Sequence, residues 1–88
     1  MEMFKNKKEQ TKHWMDYANK HLVGKTIKAV GWMTEDEAAH LDWYSRPIVI
    51  EFMDGTMIFP SRDDEGNNGG ALFGQSGDES LTFPVNGV

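Results

Sequence analysis

The sequence predicts a small α+β protein with an N-terminal helix, a second short helix and an antiparallel sheet of three to five strands. Three observations predict this class. A helical apolar stripe ends at Gly24, a helix-capping signal begins at Thr34, and two β-rich segments flank Asp54-Gly55. Because 88 residues suffice for one domain and not for two, we expect residues 1–88 to form a single unit.

The first element is a helix predicted over residues 8–23. Its apolar and aromatic side chains recur at helical spacing and form what we call the apolar stripe: Trp14, Tyr17, Ala18, His21 and Leu22. Gly24 follows the stripe, at a position where a left-handed residue commonly ends a helix. Residues 1–7 precede the stripe and are expected to be frayed. Residues 24–85 are expected to form the sheet-containing body.

A strand and a short helix are predicted next. Residues 26–33 are rich in strand-forming side chains. Thr34 and Glu37 have the spacing of a capping box, in which each side chain accepts a hydrogen bond from the other residue's amide. This signal predicts a helix from Glu35 to about Leu41. The capping box accounts for the acidic residues at positions 35–37, so no binding site is needed to explain them.

Asp54-Gly55 predicts a β-hairpin between residues 48–53 and 56–60. Because both central residues of a type I′ turn need positive φ, Asp-Gly favours a two-residue loop with Met53 opposite Thr56. This register predicts one apolar face, formed by Ile50, Phe52, Met57 and Phe59 with Ile48 extending it. The other face is mixed and is a candidate interface: Val49, Glu51, Met53, Thr56 and Ile58.

The rest of the chain reads as loops and short apolar segments. Residues 61–70 and 74–79 are loops by composition, and residues 71–73 are apolar. Residues 81–83 predict a last strand, which stops or lies at an edge because Pro84 cannot donate a ladder hydrogen bond. The order of the elements leads us to expect an SH3-like roll or barrel.

Composition excludes several classes of chemistry. The chain contains no cysteine, so disulfides, thiol nucleophiles and cysteine-based metal sites are excluded. No apolar run reaches the length of a membrane span, and the charged residues 1–12 do not have the pattern of a signal peptide. We therefore expect a cytoplasmic protein without membrane contact.

Charge is divided unevenly along the chain. Residues 1–33 contain seven lysines and three acids, a net charge of +4, and residues 34–88 contain two arginines and eleven acids, a net charge of −9. Such a chain can pair head to tail with a second copy, or the two charged ends can serve solubility alone. The sequence pI of about 5.0 argues against nucleic-acid binding, which usually needs a basic face.

The acidic, glycine-rich loop 61–70 is the candidate metal site. Its oxygen donors Asp63, Asp64, Glu65 and Asn67 are of the kind that Ca²⁺ or Mg²⁺ prefers. The loop does not fit an EF-hand, because Ser61 and Leu72 occupy the first and last ligand positions when it is aligned on Gly66. Asp and Asn also form side-chain turns, which is the alternative reading of the same residues.

Four side chains are candidates for binding another molecule: Trp43, Tyr44, Arg46 and Arg62. The aromatic rings are suited to stacking, although Trp43-Tyr44 at the end of a short helix is also typical of a core corner. Catalytic motifs are not found. Gly24-Lys25-Thr26 follows a helix rather than a strand, and Ser76 lacks the second glycine of a nucleophile elbow.

Residues 24–85 also resemble a group of small uncharacterised bacterial proteins. The resemblance is carried by Trp43-Tyr44-Ser45-Arg46-Pro47, by Asp54-Gly55-Thr56 and by residues 63–72. It implies a free-standing domain of unknown function, of a kind carried on mobile elements such as integron gene cassettes or phages. It implies no activity, cofactor or catalytic residue.

These observations lead to two functional hypotheses. The first is a non-catalytic binding module, partnered by a second copy or by another protein through the mixed hairpin face or the N-terminal helix. The second is a divalent-metal-binding protein or metal-dependent enzyme that uses Asp63, Asp64 and Glu65. The first needs no cofactor, and the second needs Ca²⁺ or Mg²⁺.

Overall fold

The computed structural model describes residues 7–87 and confirms the α+β class. Its helices are α1 (Lys7–Leu22) and α2 (Glu35–His40). Its strands are β1 (Ile27–Trp32), β2 (Ser45–Arg46), β3 (Ile48–Phe52), β4 (Met57–Ile58), β5 (Leu72–Ser76), β6 (Glu79–Phe83) and β7 (Asn86–Gly87). Lys7 begins α1, and the rest of the segment predicted to be frayed lies outside the described residues.

Within residues 7–87 the strand pairs are all antiparallel, and they form three separate sheets. One sheet has the order β1-β3-β4, and β2-β7 and β5-β6 form two-stranded sheets. β7 was not predicted from the sequence, because its two residues gain their pairing only when they meet β2. The SH3-like arrangement of these strands stays a prediction.

Helix α1 confirms the N-terminal helix and its end at Gly24. Gly24 has a φ of 81°, and the Val23 amide donates to the Asn19 carbonyl at 3.2 Å. The Lys25 amide donates to the Leu22 carbonyl at 3.4 Å. These bonds satisfy carbonyl groups in the last turn, which otherwise lack partners.

Helix α2 begins with the predicted capping box and ends in an unpredicted left-handed residue. The Glu37 amide donates to Thr34 Oγ1 at 3.1 Å, and the Thr34 amide donates to Glu37 Oε1 at 2.9 Å. At the other end Asp42 has a φ of 59°. The Trp43 amide then donates to the Ala38 carbonyl at 2.8 Å, which completes a Schellman motif. This turn directs Trp43 back onto Ala38.

The β3–β4 hairpin is present, but its predicted register is wrong by one residue. Ile50 lies opposite Ile58, and Glu51 lies opposite Met57. The Gly55 amide donates to the Phe52 carbonyl at 3.0 Å, and Gly55 alone of the turn residues has positive φ, at 90°. The loop therefore has three residues, in the type I turn plus glycine bulge arrangement that Asp-Gly also allows. Ile58 moves to the face of Ile48 and Ile50, and Met57 moves to the mixed face.

A second hairpin replaces the predicted polar loop 74–79. β5 and β6 pair from Leu72–Phe83 to Ser76–Glu79, so Gly77-Asp78 is a two-residue turn. Gly77 has a φ of 61°, whereas the φ of Asp78 is not positive. This combination is the pattern of a type II′ turn. Gly-Asp is a recognised hairpin signal, and the polar composition of the segment concealed it.

The core is small and lies beside α2. Met33, Ala38 and Trp43 form its buried cluster, and the half-buried Val49 packs against them. Pro47 is fully buried between this region and the acidic loop, where Gly69 approaches so closely that a Cβ atom there would lie 2.6 Å from Pro47 Cδ. The loop 61–70 is thus packed on the body rather than projecting from it.

Candidate functional site

The acidic loop 61–70 closes on itself through backbone hydrogen bonds. The Arg62 amide donates to the Asn68 carbonyl at 2.7 Å, and Ser61 and Gly69 form an isolated β-bridge. The Gly70 amide donates to the Pro60 carbonyl at 2.9 Å. The loop is therefore a closed turn with a defined base.

Asp63 organises the acidic end of this loop. Its Oδ1 accepts from the Glu65 amide at 3.0 Å and from the Asn67 amide at 3.3 Å, and its Oδ2 accepts from Asn67 Nδ2 at 2.9 Å. These hydrogen bonds, that of the Asn67 side chain above all, lower the pKa of the Asp63 carboxyl below its usual value. Both carboxylate oxygens are engaged by the turn that surrounds them.

The candidate metal ligands are only partly brought together. Asp63 and Asn67 are in contact, but through a hydrogen bond between their own side chains. Across residues 7–87, no three His, Asp or Glu side chains converge in a way that would hold a metal ion. The contacts of Asp63 match the turn interpretation, and a metal site including Asp64 and Glu65 stays a prediction.

Trp43 and Tyr44 take opposite roles beside the loop. Trp43 is buried, and its indole Nε1 donates to the Gly66 carbonyl at 2.7 Å. Tyr44 is 81% exposed, but its amide donates to Asn68 Oδ1 at 3.0 Å. The same oxygen accepts from the Ser45 amide at 3.0 Å and the Gly69 amide at 2.9 Å. Trp43 is thus a core side chain, and Tyr44 is the ring that remains available to a partner.

The two arginine candidates differ in their exposure and their position in the fold. Arg46 is half-buried in β2, opposite Asn86 of β7. Arg62 is exposed on the loop, with its Nε 3.8 Å from Asp63 Oδ2. Exposed ion pairs of this length contribute little to stability.

Helix α1 presents a second candidate surface. Every residue of α1 is exposed, including Trp14 and Tyr17, each at 53%. The rings contact one another along the helix: Trp14 and Tyr17 at 5.6 Å between centroids, Tyr17 and His21 at 4.5 Å. The apolar stripe predicted from the sequence is therefore present, and all of its residues are exposed.

An apolar groove lies on the face of the β3–β4 hairpin that carries Ile50 and Ile58. We call it the β3–β4 groove; it has a volume of about 250 Å³ and is lined by Ile48, Ile50, Ile58, Phe59, Pro60 and Leu72. Leu22, the last residue of α1, also lines it. Sequence reasoning missed this groove, because the predicted register placed Ile58 on the opposite face.

No helix between residues 7 and 87 combines the length and the apolar character needed to cross a bilayer. Comparison with protein-family models, with curated proteins and with solved structures finds no match, so the resemblance of residues 24–85 stays a prediction.

Proposed function

We propose that this protein is a non-catalytic interaction module that self-associates, with the apolar stripe of α1 as its contact surface. The observation that carries the proposal is a helix of 16 residues, all exposed, on which the rings of Trp14 and Tyr17 contact each other edge to face. An exposed aromatic patch of this kind is typical of an interaction site. Tyr and Trp are also the side chains that most often dominate interface energies.

Helix α1 would gain stability by packing its apolar stripe against a partner. An isolated helix of this length is only marginally stable in water, because most helical stability in proteins comes from packing an amphipathic face. Burying an aromatic side chain removes on the order of 150–250 Å² from water, at about 25 cal/mol per Å² of apolar surface. Docking of Trp14 and Tyr17 would therefore stabilise both the helix and the complex.

The surface area and size of the chain support the same conclusion. The chain exposes 7168 Å², whereas a compact monomer of 10.0 kDa exposes about 5,200 Å². Its radius of gyration is 15.2 Å, against about 12 Å for a compact chain of this length. A specific interface buries about 800 Å² on each partner, so the excess surface is ample for a dimer.

Charge supports a second copy as the partner. Helix α1 contains four lysines and two acids, a net charge of +2, and residues 23–88 contain four basic and eleven acidic side chains, a net charge of −7. Opposite charges on two parts of one chain favour association between copies. The cytoplasmic location stays a prediction.

Light scattering of the purified protein over a range of concentrations tests the proposal. We expect the mass of two chains at high concentration, and a single-chain mass for Tyr17→Glu, which puts a charge in the apolar stripe. Lys20→Gln is the matched control, because it changes the net charge equally and removes a side chain from outside the stripe. It should remain dimeric. A single-chain mass for the wild type at the highest concentration would overturn self-association, and capture of a different protein by the same stripe would assign another partner.

A further inference from the structure

We infer that the apolar stripe of one copy docks in the β3–β4 groove of a second copy, and that the two copies exchange their helices reciprocally. This inference rests on the proposed self-association and names the surface that receives α1. Both surfaces exist in one chain: Leu22 is the stripe residue that lines the groove, and the rest of the stripe is exposed.

The groove is suited to apolar side chains of a macromolecule. Every residue that lines it is apolar, and Ile50, Ile58 and Leu72 are only half-buried. Its volume of about 250 Å³ is below the 300–1,000 Å³ typical of small-ligand pockets, which also carry polar groups that orient the ligand. Docking of the apolar face of an amphipathic helix in an apolar groove is a recurrent mode of protein recognition.

The structure explains why a chain does not cover its own groove with its own stripe. Leu22 ends α1 at the groove, and the left-handed Gly24 then turns the chain into β1. Lys25 Nζ donates to Asp54 Oδ2 at 2.6 Å and to Thr56 Oγ1 at 3.0 Å, which attaches this connection to the hairpin. The direction of α1 is therefore set at its end, and the helix leaves the body with Trp14 and Tyr17 exposed.

Charge favours exchange over direct pairing of two α1 helices. Pairing α1 with α1 would place two segments of net charge +2 side by side, whereas docking on residues 23–88 places α1 against a segment of net charge −7. Exchange is also self-complementary: each copy donates one helix and receives one. Such a contact closes as a two-fold dimer and leaves no unfilled groove.

Site-specific crosslinking tests the inference directly, because the chain has no cysteine of its own. Tyr17→Cys and Ile58→Cys proteins are mixed, allowed to exchange subunits and treated with a short bis-maleimide. We expect a crosslinked dimer in the mixture and none with either variant alone. Lys20→Cys mixed with Ile58→Cys is the matched control, and it should lose the crosslink. Phe59→Cys replaces Ile58→Cys if the latter does not fold.

The outcomes separate this inference from the proposed function. A crosslinked dimer formed by Tyr17→Cys alone would show that α1 pairs with α1, which overturns the exchange and leaves self-association intact. A two-chain mass without any Tyr17–Ile58 crosslink would also overturn the exchange. A single-chain mass for the untreated wild type would overturn both.

Discussion

The indole nitrogen of Trp43 donates a 2.7 Å hydrogen bond to the carbonyl oxygen of Gly66. This bond connects the buried cluster beside α2 to the acidic loop 61–70. Gly66 itself is in the left-handed region, with a φ of 73°. A single buried side chain therefore supports both the core and the functional candidate that was most prominent in the sequence.

Replacing Trp43 should destabilise the core and release the loop. We expect Trp43→Phe to lower the free energy of unfolding by about 2 kcal/mol, because it removes a hydrogen bond and part of a buried ring. Trp32→Phe is the matched control, since Trp32 Nε1 donates to the Pro84 carbonyl at 2.9 Å but the residue is 39% exposed. Urea unfolding measures both. Equal losses for the two variants would contradict the role given to Trp43.

Asn68 should matter more than its neighbour Asn67. Its Oδ1 accepts from three backbone amides, so Asn68→Ala leaves them without their protein acceptor and should cost about 2–3 kcal/mol of unfolding free energy. Asn68→Asp keeps an acceptor oxygen at that position and should cost less. Asn67→Ala removes one exposed side-chain hydrogen bond to Asp63 and should stay within about 1 kcal/mol of wild type. Chemical denaturation ranks the three variants, and a reversed order would be inconsistent with this loop geometry.

Asp42 is a position where a substitution should stabilise the protein. Its φ of 59° is strained for a residue with a Cβ atom, and glycine removes that strain at the C′ position of a Schellman motif. We expect Asp42→Gly to raise the unfolding free energy by about 1 kcal/mol. Asp42→Ala is the control that keeps the Cβ atom and should not stabilise. Thermal unfolding distinguishes them, and a Gly variant less stable than wild type would contradict the argument.

Stability should fall at low pH, partly through Asp54. The hydrogen bond from the Lys25 ammonium, with those from Thr56, holds the pKa of the Asp54 carboxyl well below its usual value. A lowered folded-state pKa means that the stabilisation is present above the unfolded value, about 3.9, and is lost as the pH falls below it. Urea unfolding between about pH 5 and pH 2 should show a shallower decline for Asp54→Asn. A slope unchanged in Asp54→Asn would argue against this role for the Lys25–Asp54 pair.

Added Ca²⁺ or Mg²⁺ should leave the acidic loop unchanged. A divalent ion would compete with the hydrogen bonds that both oxygens of Asp63 accept from Glu65 and Asn67. Amide ¹⁵N–¹H spectra, recorded first with chelator and then with either ion, should show no saturable shifts in residues 63–70. Saturable shifts confined to those residues, absent in Asp63→Ala, would restore the metal hypothesis.

Local signals in the sequence predicted most of the elements correctly. The apolar stripe and Gly24 located α1, and Thr34 with Glu37 located α2, because caps depend on residues close in sequence. Asp54-Gly55 located the β3–β4 hairpin. It did not determine the loop length, because the dipeptide suits both a two-residue and a three-residue turn.

Tertiary contacts decided between those turns and, with them, the candidate sites. The Met53 amide donates to the Thr26 carbonyl at 2.8 Å, and Lys25 holds Asp54 from across the sheet. These partners are distant in sequence. Their contacts accompany the three-residue turn, and in that register Ile58 lines the β3–β4 groove.

By itself, the sequence determined the α+β class, the end of α1 at Gly24, the capping box that begins α2 and the apolar stripe, since each depends on residues within a few positions of one another. The tertiary structure alone decided the hairpin register, the burial of Trp43 and Pro47, and the exposure of α1. Those outcomes depend on which distant segments of the chain contact one another. The free energy of those contacts cannot be read from a local sequence pattern.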